Sequence, residues 1–177
     1  MIASDIHGSA YYCRQLLEAY QRETPDKLVL LGDILYHGPR NDLPKEYAPK
    51  EVIAMLNPLA DQLLCVRGNC DTEVDQMVLD FSVLSDYGVI FDRNRTIYLT
   101  HGHVYSPQNP MKCCRGGLML GGHTHVPTVV EGDGFVYANP GSVSIPKENS
   151  PHSYMIVEND RLIWKDLSGE EYRTYQL

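Results

Sequence analysis

The sequence predicts an α/β fold built on mixed sheets, and two observations carry that reading. In the first half, three short apolar runs each end in a polar loop, with helix-spaced segments between them. In the second half, seven short apolar runs follow one another, with turn pairs between several of them. The first pattern calls for parallel strands that gather polar residues at their carboxyl ends, and the second for hairpins.

Residues 1–4 form a brief apolar lead-in to Asp5. Ser9 then stands as a cap before Leu16, Leu17 and Tyr20, a spacing that suits a helix. Residues 27–31 read as a strand running into Gly32 and Asp33, and residues 48–56, with Pro49 near the start, as the next helix. A third strand over 63–66 leads into Arg67-Gly68-Asn69-Cys70-Asp71. Later strands are expected over 88–91, 96–100, 118–121, 126–130, 135–138, 154–157 and 162–167. The pairs Asp92-Arg93, Gly132-Asp133 and Asn159-Asp160 are candidate turns. Antiparallel pairing should therefore dominate late in the chain. The sequence has no repeat of fixed period and no low-complexity linker, so we expect one domain over residues 1–177.

With 177 residues, 43% of them hydrophobic, the chain can bury an ordinary core without staples. No stretch approaches the roughly 20 apolar residues of a membrane helix, and the start lacks the pattern of a leader, so a cytoplasmic protein is expected. Five cysteines, an odd number that includes the adjacent Cys113 and Cys114, do not suggest an oxidised framework. The formal charge of -8, from 23 acidic and 15 basic residues, argues against long nucleic acids as partners. A small anionic substrate would have to be drawn in by local cations.

The chemistry-bearing signal is a set of five loops at strand ends: Asp5-Ile6-His7, Gly32-Asp33, Gly68-Asn69, His101-Gly102-His103 and Gly122-His123-Thr124-His125. Seven histidines give on the order of 0.3 His-x-His pairs by chance, yet there are two. Taken singly, each motif has a bland reading. Asp5 and His7 suit a helix start, Gly68-Asn69 suits a turn in which Asn tolerates unusual backbone angles, and paired histidines on one strand face can be ordinary hydrogen-bonded residues. Taken together, imidazole nitrogens with carboxylate and amide oxygens suit first-row divalent metals. Met77, Leu79 and Phe81 read as core, and Cys13, Cys65, Cys113 and Cys114 as core or surface thiols without a chemical role.

The order D-x-H, G-D, G-N, H-G-H and G-H-T-H resembles that of the calcineurin-like metallophosphoesterase superfamily. The strings Ser4-Asp5-Ile6-His7-Gly8-Ser9, His37-Gly38-Pro39-Arg40-Asn41, Val66-Arg67-Gly68-Asn69-Cys70-Asp71 and Asn139-Pro140-Gly141-Ser142-Val143 are more narrowly similar to YfcE-type bacterial phosphodiesterases. The likeness runs to about Lys147. It implies a four-layer sandwich of two stacked mixed β-sheets flanked by helices. It also implies two divalent metal ions, manganese first, with Fe, Ni, Co or Zn acceptable to the same ligands. By the resemblance, Asp5, His7 and His125 hold one metal, Asn69, His101 and His123 hold the other, and Asp33 bridges them.

The implied activity is hydrolysis of a small phosphodiester by in-line attack of a metal-bridging hydroxide. Arg40 is a candidate phosphate contact or an ordinary surface arginine. His103 and Asp71 are expected to orient the histidine ligands. Residues 139–142 read as a turn that fixes backbone near the site. Cys70 stands where many relatives carry a leaving-group histidine, and a thiol is a weak donor there. The resemblance leaves room for a homo-oligomer. Two other readings compete: a non-catalytic metal-binding scaffold, as in the retromer subunit of the same fold, and a repair nuclease, which the charge disfavours.

Overall fold

The computed structural model describes residues 1–93 and 95–177 of the chain. The short apolar runs become strands, and their alternation sorts side chains into three cores. In β2 (Leu28–Leu30), Leu28 and Leu30 face the helices while Val29 faces the opposite side. This is the period-two rule of a strand buried on both faces. β1 (Ile2–Ala3), β2 and β3 (Leu63–Cys65) pair in parallel, with the short 3-10 segment Asn57–Gln62 leading into β3.

Helix α1 (Ala10–Glu23) starts where expected, because Ser9 Oγ accepts the Tyr12 N–H. Its buried stripe is Ala10, Cys13, Leu16 and Ala19. Helix α2 (Pro49–Leu56) opens on proline, whose missing N–H costs nothing in a first turn. Both helices pack on one face of the first sheet, around Leu28, Leu30, Val52 and Leu56. A third helix, α3 (Glu73–Gln76), a single turn, has no counterpart in the sequence reading.

β9 (Ser153–Glu158), β10 (Arg161–Asp166) and β11 (Glu171–Gln176) join the first sheet as an antiparallel meander, β9 lying beside β1. The β9–β10 turn is Asn159-Asp160, both at positive φ (46° and 61°), the backbone a tight hairpin needs. β11 was missing from the expected strands. It is a polar, largely exposed edge strand with no apolar run to mark it.

β4 (Gly88–Asp92), β5 (Arg95–Leu99), β6 (Leu118–Leu120), β7 (Thr128–Gly132) and β8 (Phe135–Asn139) form the second sheet, in the order β4-β5-β6-β8-β7. Its centre, β5-β6-β8, is parallel, and only the edges β4 and β7 are antiparallel. The β7–β8 turn lies one residue later than expected, since Gly132 pairs with Phe135.

The two sheets stack through Ile2, Val29, Leu31, Leu99, Leu120 and Trp164, whose indole N–H donates to Asn139 O at 2.7 Å. On the far face of the second sheet, Met111 and Cys114 from the β5–β6 loop cover Met119, Phe135 and Tyr137. Leu79 and Phe81 are buried as expected. Met77 is not: it is 82% exposed, on the outer side of the turn that follows α3. Among the described residues no helix is long and apolar enough to cross a membrane.

Candidate metal centre

Five of the strands that pair in parallel, β1, β2, β3, β5 and β6, each end in one of the five polar loops, so stacking the two sheets brings those loops to a common edge. The loop after β1 carries Asp5 and His7, that after β2 Asp33, and that after β3 Asn69, Cys70 and Asp71. β5 leads to His101 and His103, and β6 to His123 and His125.

The backbone there is held in an unusual form. Asp5, His7, Asp33, His123 and His125 all have φ between 49° and 67°. Left-handed non-glycine residues cost on the order of 1–3 kcal/mol each and persist only where the surroundings impose them. The surroundings here are hydrogen bonds: Asp5 N–H to Gly32 O (3.1 Å), His7 N–H to Asp33 O (2.9 Å) and Gly122 N–H to His101 O (2.6 Å). Asp5 O also accepts the hydroxyls of Ser142 (2.9 Å) and Ser144 (3.0 Å). Asn69, for which a turn with unusual angles is the bland alternative to a ligand role, is not among the positive-φ residues. The neighbouring carboxylates and imidazoles carry them instead.

One group of potential ligands is Asp5, His7 and His125, all buried, with ligating atoms within 4.8 Å of one another. His125 Nε2 lies 3.3 Å and His7 Nε2 3.6 Å from Asp5 Oδ1, and the two Nε2 atoms are 3.4 Å apart. Asp5, Asp33 and His101 form a second group. His101 Nε2 is 3.4 Å from Asp33 Oδ2 and 3.0 Å from Asn69 Oδ1. Asp33 Oδ2 also lies 3.7 Å from His7 Nε2, so this carboxylate faces both groups. A third group adds Cys70 to His7 and Asp33.

His123 stands further out. Its ring centroid is 5.1 Å from that of His101, it lines the same cleft, and its backbone N–H donates to Asp5 Oδ2 at 3.1 Å. It is absent from the three tight groups found among the described residues.

Three imidazoles are oriented alike. Nδ1 of His7 donates to Tyr36 O (2.7 Å), that of His101 to Leu31 O (2.7 Å) and that of His125 to Ile145 O (2.6 Å). A carbonyl can only accept, so Nδ1 carries a proton in each ring, and whenever the ring is neutral its Nε2 lone pair faces the cluster. Asp5 Oδ1 is buried without a hydrogen-bond partner. An ionised oxygen in that state is costly unless a cation meets it.

The electrostatics agree. Burial alone would raise the Asp5 pKa, but the His125 and His7 imidazoles beside its carboxylate hold it well below the ordinary carboxylate range. Burial would lower His101, yet the Asp33 and Asp5 carboxylates raise it to about 9. Without a metal, a proton on His101 Nε2 points at Asp33 and Asn69, where a cation would otherwise stand. The residues present therefore fit divalent metal.

The remaining expected residues divide. Cys70 is buried, donates its N–H to Asp33 Oδ1 (2.8 Å) and receives Asn69 Nδ2 on Sγ (3.2 Å). Arg40 lines the cleft with Gly38, Pro39 and Asn41. His103 is exposed, its ring 5.3 Å from His101 and 6.0 Å from His123, and no hydrogen bond to that ring is found among the described residues. Among the described residues the Asp71 carboxylate makes no hydrogen bond to a histidine. Its carboxylate accepts the N–H groups of Asp33 (2.8 Å), Ile34 (2.9 Å) and Gly68 (2.7 Å), so it fixes loop backbones rather than imidazoles.

Asn139 does fix backbone, its side chain donating to Gly122 O (2.7 Å) and Thr124 Oγ1 (3.0 Å). The sequence reading missed Thr124 and Lys147 as walls of the cleft, which encloses about 430 Å3. It also missed Ser144. The serines of the Ser142-Val143-Ser144 run both bond to Asp5 O, and that alternation was the available signal.

The sequence profile of the calcineurin-like phosphoesterase superfamily domain matches residues 1–161. The phosphodiesterase YfcE of Escherichia coli (strain K12) is 43% identical over 162 residues, 92% of this chain and 88% of that protein. A solved structure of YfcE, a phosphoesterase from E. coli, superposes with a TM-score of 0.95 at 40% identity, covering 99% of this chain and 97% of that one. Vacuolar protein sorting 29 from Cryptosporidium parvum shares the fold alone, with a TM-score of 0.63 at 17% identity over 99% and 96% of the two chains. The chain belongs to the calcineurin-like phosphoesterase superfamily, hydrolases of phosphoric esters.

Proposed function

We propose that the chain is a dinuclear-metal phosphodiesterase acting on a small phosphodiester. The observation that carries this reading is Asp33: its Oδ2 lies within 3.7 Å of His7 Nε2 and 3.4 Å of His101 Nε2, so one carboxylate reaches both sets of potential ligands. Asp5, His7 and His125 would hold one divalent ion, and Asn69, His101 and His123 the other, with Asp33 shared. Manganese is our first choice, and the N/O donor set also accepts Fe, Ni, Co or Zn. When bound, such ions supply the positive charge that lowers the pKa of water and neutralises phosphoryl oxygens.

The chain's own residues do the rest. Asn69 offers a neutral oxygen, which keeps the centre cationic towards an anionic ester. The carbonyls of Tyr36, Leu31 and Ile145 hold three imidazoles in the liganding tautomer before substrate arrives. Arg40 lines the cleft, and its guanidinium, whose geometry suits phosphate, would meet a phosphoryl oxygen there. The 43% identity to a named phosphodiesterase supports the diester over the monoester.

The test is metal analysis of protein purified without chelator, followed by assay of a manganese-reconstituted sample on bis(p-nitrophenyl) phosphate and p-nitrophenyl phosphate. Two equivalents of metal and faster diester turnover are expected. Asp33→Asn should abolish turnover and loosen at least one ion. Near-native turnover with full metal in that variant would remove the bridging role. Metal binding with no ester hydrolysis would favour a scaffold instead.

A further inference from the structure

Lys147 lines the same cleft, and the proposed metal chemistry leaves it without a task. Its backbone is fixed to the centre, the N–H donating to His125 O at 3.2 Å while its own carbonyl accepts the Ser150 N–H (3.0 Å) and Oγ (2.6 Å). The side chain is exposed, and no ion pair engages its ammonium among the described residues. The other cationic wall residue, Arg40, comes from a different loop. That loop begins at Tyr36, whose carbonyl accepts His7 Nδ1, and carries Gly38 against Cys70. In a chain of net charge -8, two cations from separate loops thus face one cleft.

A phosphodiester carries one negative charge. Two divalent ions, counted against the Asp5 and Asp33 carboxylates that would hold them, would together with Arg40 still exceed it, so a further lysine has no work at the scissile phosphorus. The described cleft walls also include no Phe, Tyr or Trp, so they offer no stacking surface for a nucleobase. We infer that Lys147 is a specificity residue that pairs with a second anionic group on a small, non-nucleotide diester. That group is a carboxylate or further phosphate lying outside the metal centre. The inference rests on the diesterase reading of the site.

The test uses matched esters with one leaving group: p-nitrophenyl propyl phosphate, its 2-carboxyethyl analogue and its 2-phosphonoethyl analogue, on the metal-reconstituted protein. The readout is the kcat/KM ratio of each charged ester to the propyl ester. In Lys147→Ala that ratio should fall about fivefold, the scale of an exposed charge pair, chiefly through KM. Lys147→Arg should keep it, and added salt should shrink it in the parent. Whichever charged ester loses more identifies the group.

An unchanged ratio in Lys147→Ala overturns the inference, as does a ratio that falls in Arg40→Ala alone. Calorimetric binding of propylphosphonate and 2-carboxyethylphosphonate to the same loaded proteins gives a readout that needs no turnover. If the parent hydrolyses none of the esters, the diesterase reading fails. The difference in phosphonate preference between parent and Lys147→Ala still decides the role of Lys147.

Discussion

Asp33 and Asp71 clasp each other's loops: Asp71 Oδ2 accepts the Asp33 backbone N–H at 2.8 Å, while Asp33 Oδ1 accepts the N–H of Cys70, beside Asp71, at 2.8 Å. Asp71 is 2% exposed and accepts two further N–H groups, from Ile34 and Gly68. Removing it strands three buried donors. Asp71→Ala should lower the stability of the chelator-treated protein by about 3 kcal/mol in urea denaturation. Metal affinity should fall by roughly 10- to 100-fold, because the shared carboxylate loses its frame. An unshifted urea midpoint together with unchanged metal affinity would show that the clasp is dispensable.

Gly68 sits where the same two loops touch. A Cβ there would press on Asp33 Oδ1 and on the Asp33 backbone N and come within 2.9 Å of Asp33 Cγ, and that backbone cannot swing away as a flexible side chain would. The glycine is therefore required by close approach rather than by a turn. Gly68→Ala should destabilise the fold by about 2 kcal/mol through overpacking and reduce bound metal below two equivalents. Thermal melts run with and without manganese provide the check: the stabilisation by metal should be smaller in the variant than in the parent.

Far from the site, Glu23 ties α1 to the β9–β10 hairpin. It accepts Tyr154 Oη at 2.7 Å and Lys165 Nζ at 3.1 and 3.0 Å. Burial would raise its pKa, but the Tyr154 hydroxyl and the Lys165 ammonium outweigh burial and lower it. A carboxylate depressed in the folded state adds stability above its unfolded pKa and loses it as pH falls through the folded value. Parent and Glu23→Gln should therefore differ most above about pH 5 and converge in more acidic buffer. A stability gap that is flat across that range would mean the ion pair contributes nothing.

How much of this was legible in the sequence follows from what each feature depends on. The loops carrying Asp5, Asp33, His101 and His125 could be located because each follows an apolar run: β1, β2 and β6 are buried throughout, and β5 buries Ile97 and Leu99. The Asn159-Asp160 turn was legible because residue type dictates backbone angle. β11 was not, since an exposed edge strand carries no apolar signature. The frame role of Asp71 was also hidden. Its three partners are main-chain N–H groups, and these leave no trace in residue identity. Met77 illustrates the opposite error, an apolar residue beside Leu79 and Phe81 that local packing leaves in solvent.

Cys70 supports the last prediction. The thiol is buried, and burial together with the nearby Asp33 carboxylate pushes its pKa up to about 12, so it stays protonated at neutral pH. A neutral thiol is a weak hydrogen-bond donor and gives little help to a departing oxygen. Substrates with acidic leaving groups should therefore be turned over faster than alkyl esters, and Cys70→Ala should leave the dependence on leaving-group pKa close to that of the parent.

Cys70→His should flatten that dependence and raise rates most for poor leaving groups. Space sets a condition: a Cβ on Gly38 would stand 3.3 Å from Cys70 Sγ, so an imidazole must push the loop carrying Arg40 aside. A moderate drop in melting temperature should accompany the gain. A series of aryl methyl phosphodiesters assayed on the parent and both variants, each with two equivalents of manganese bound, gives the slopes. Equal slopes for the parent and the histidine variant would make Cys70 a space-filling neighbour of Asn69 and remove any link between this position and leaving-group departure.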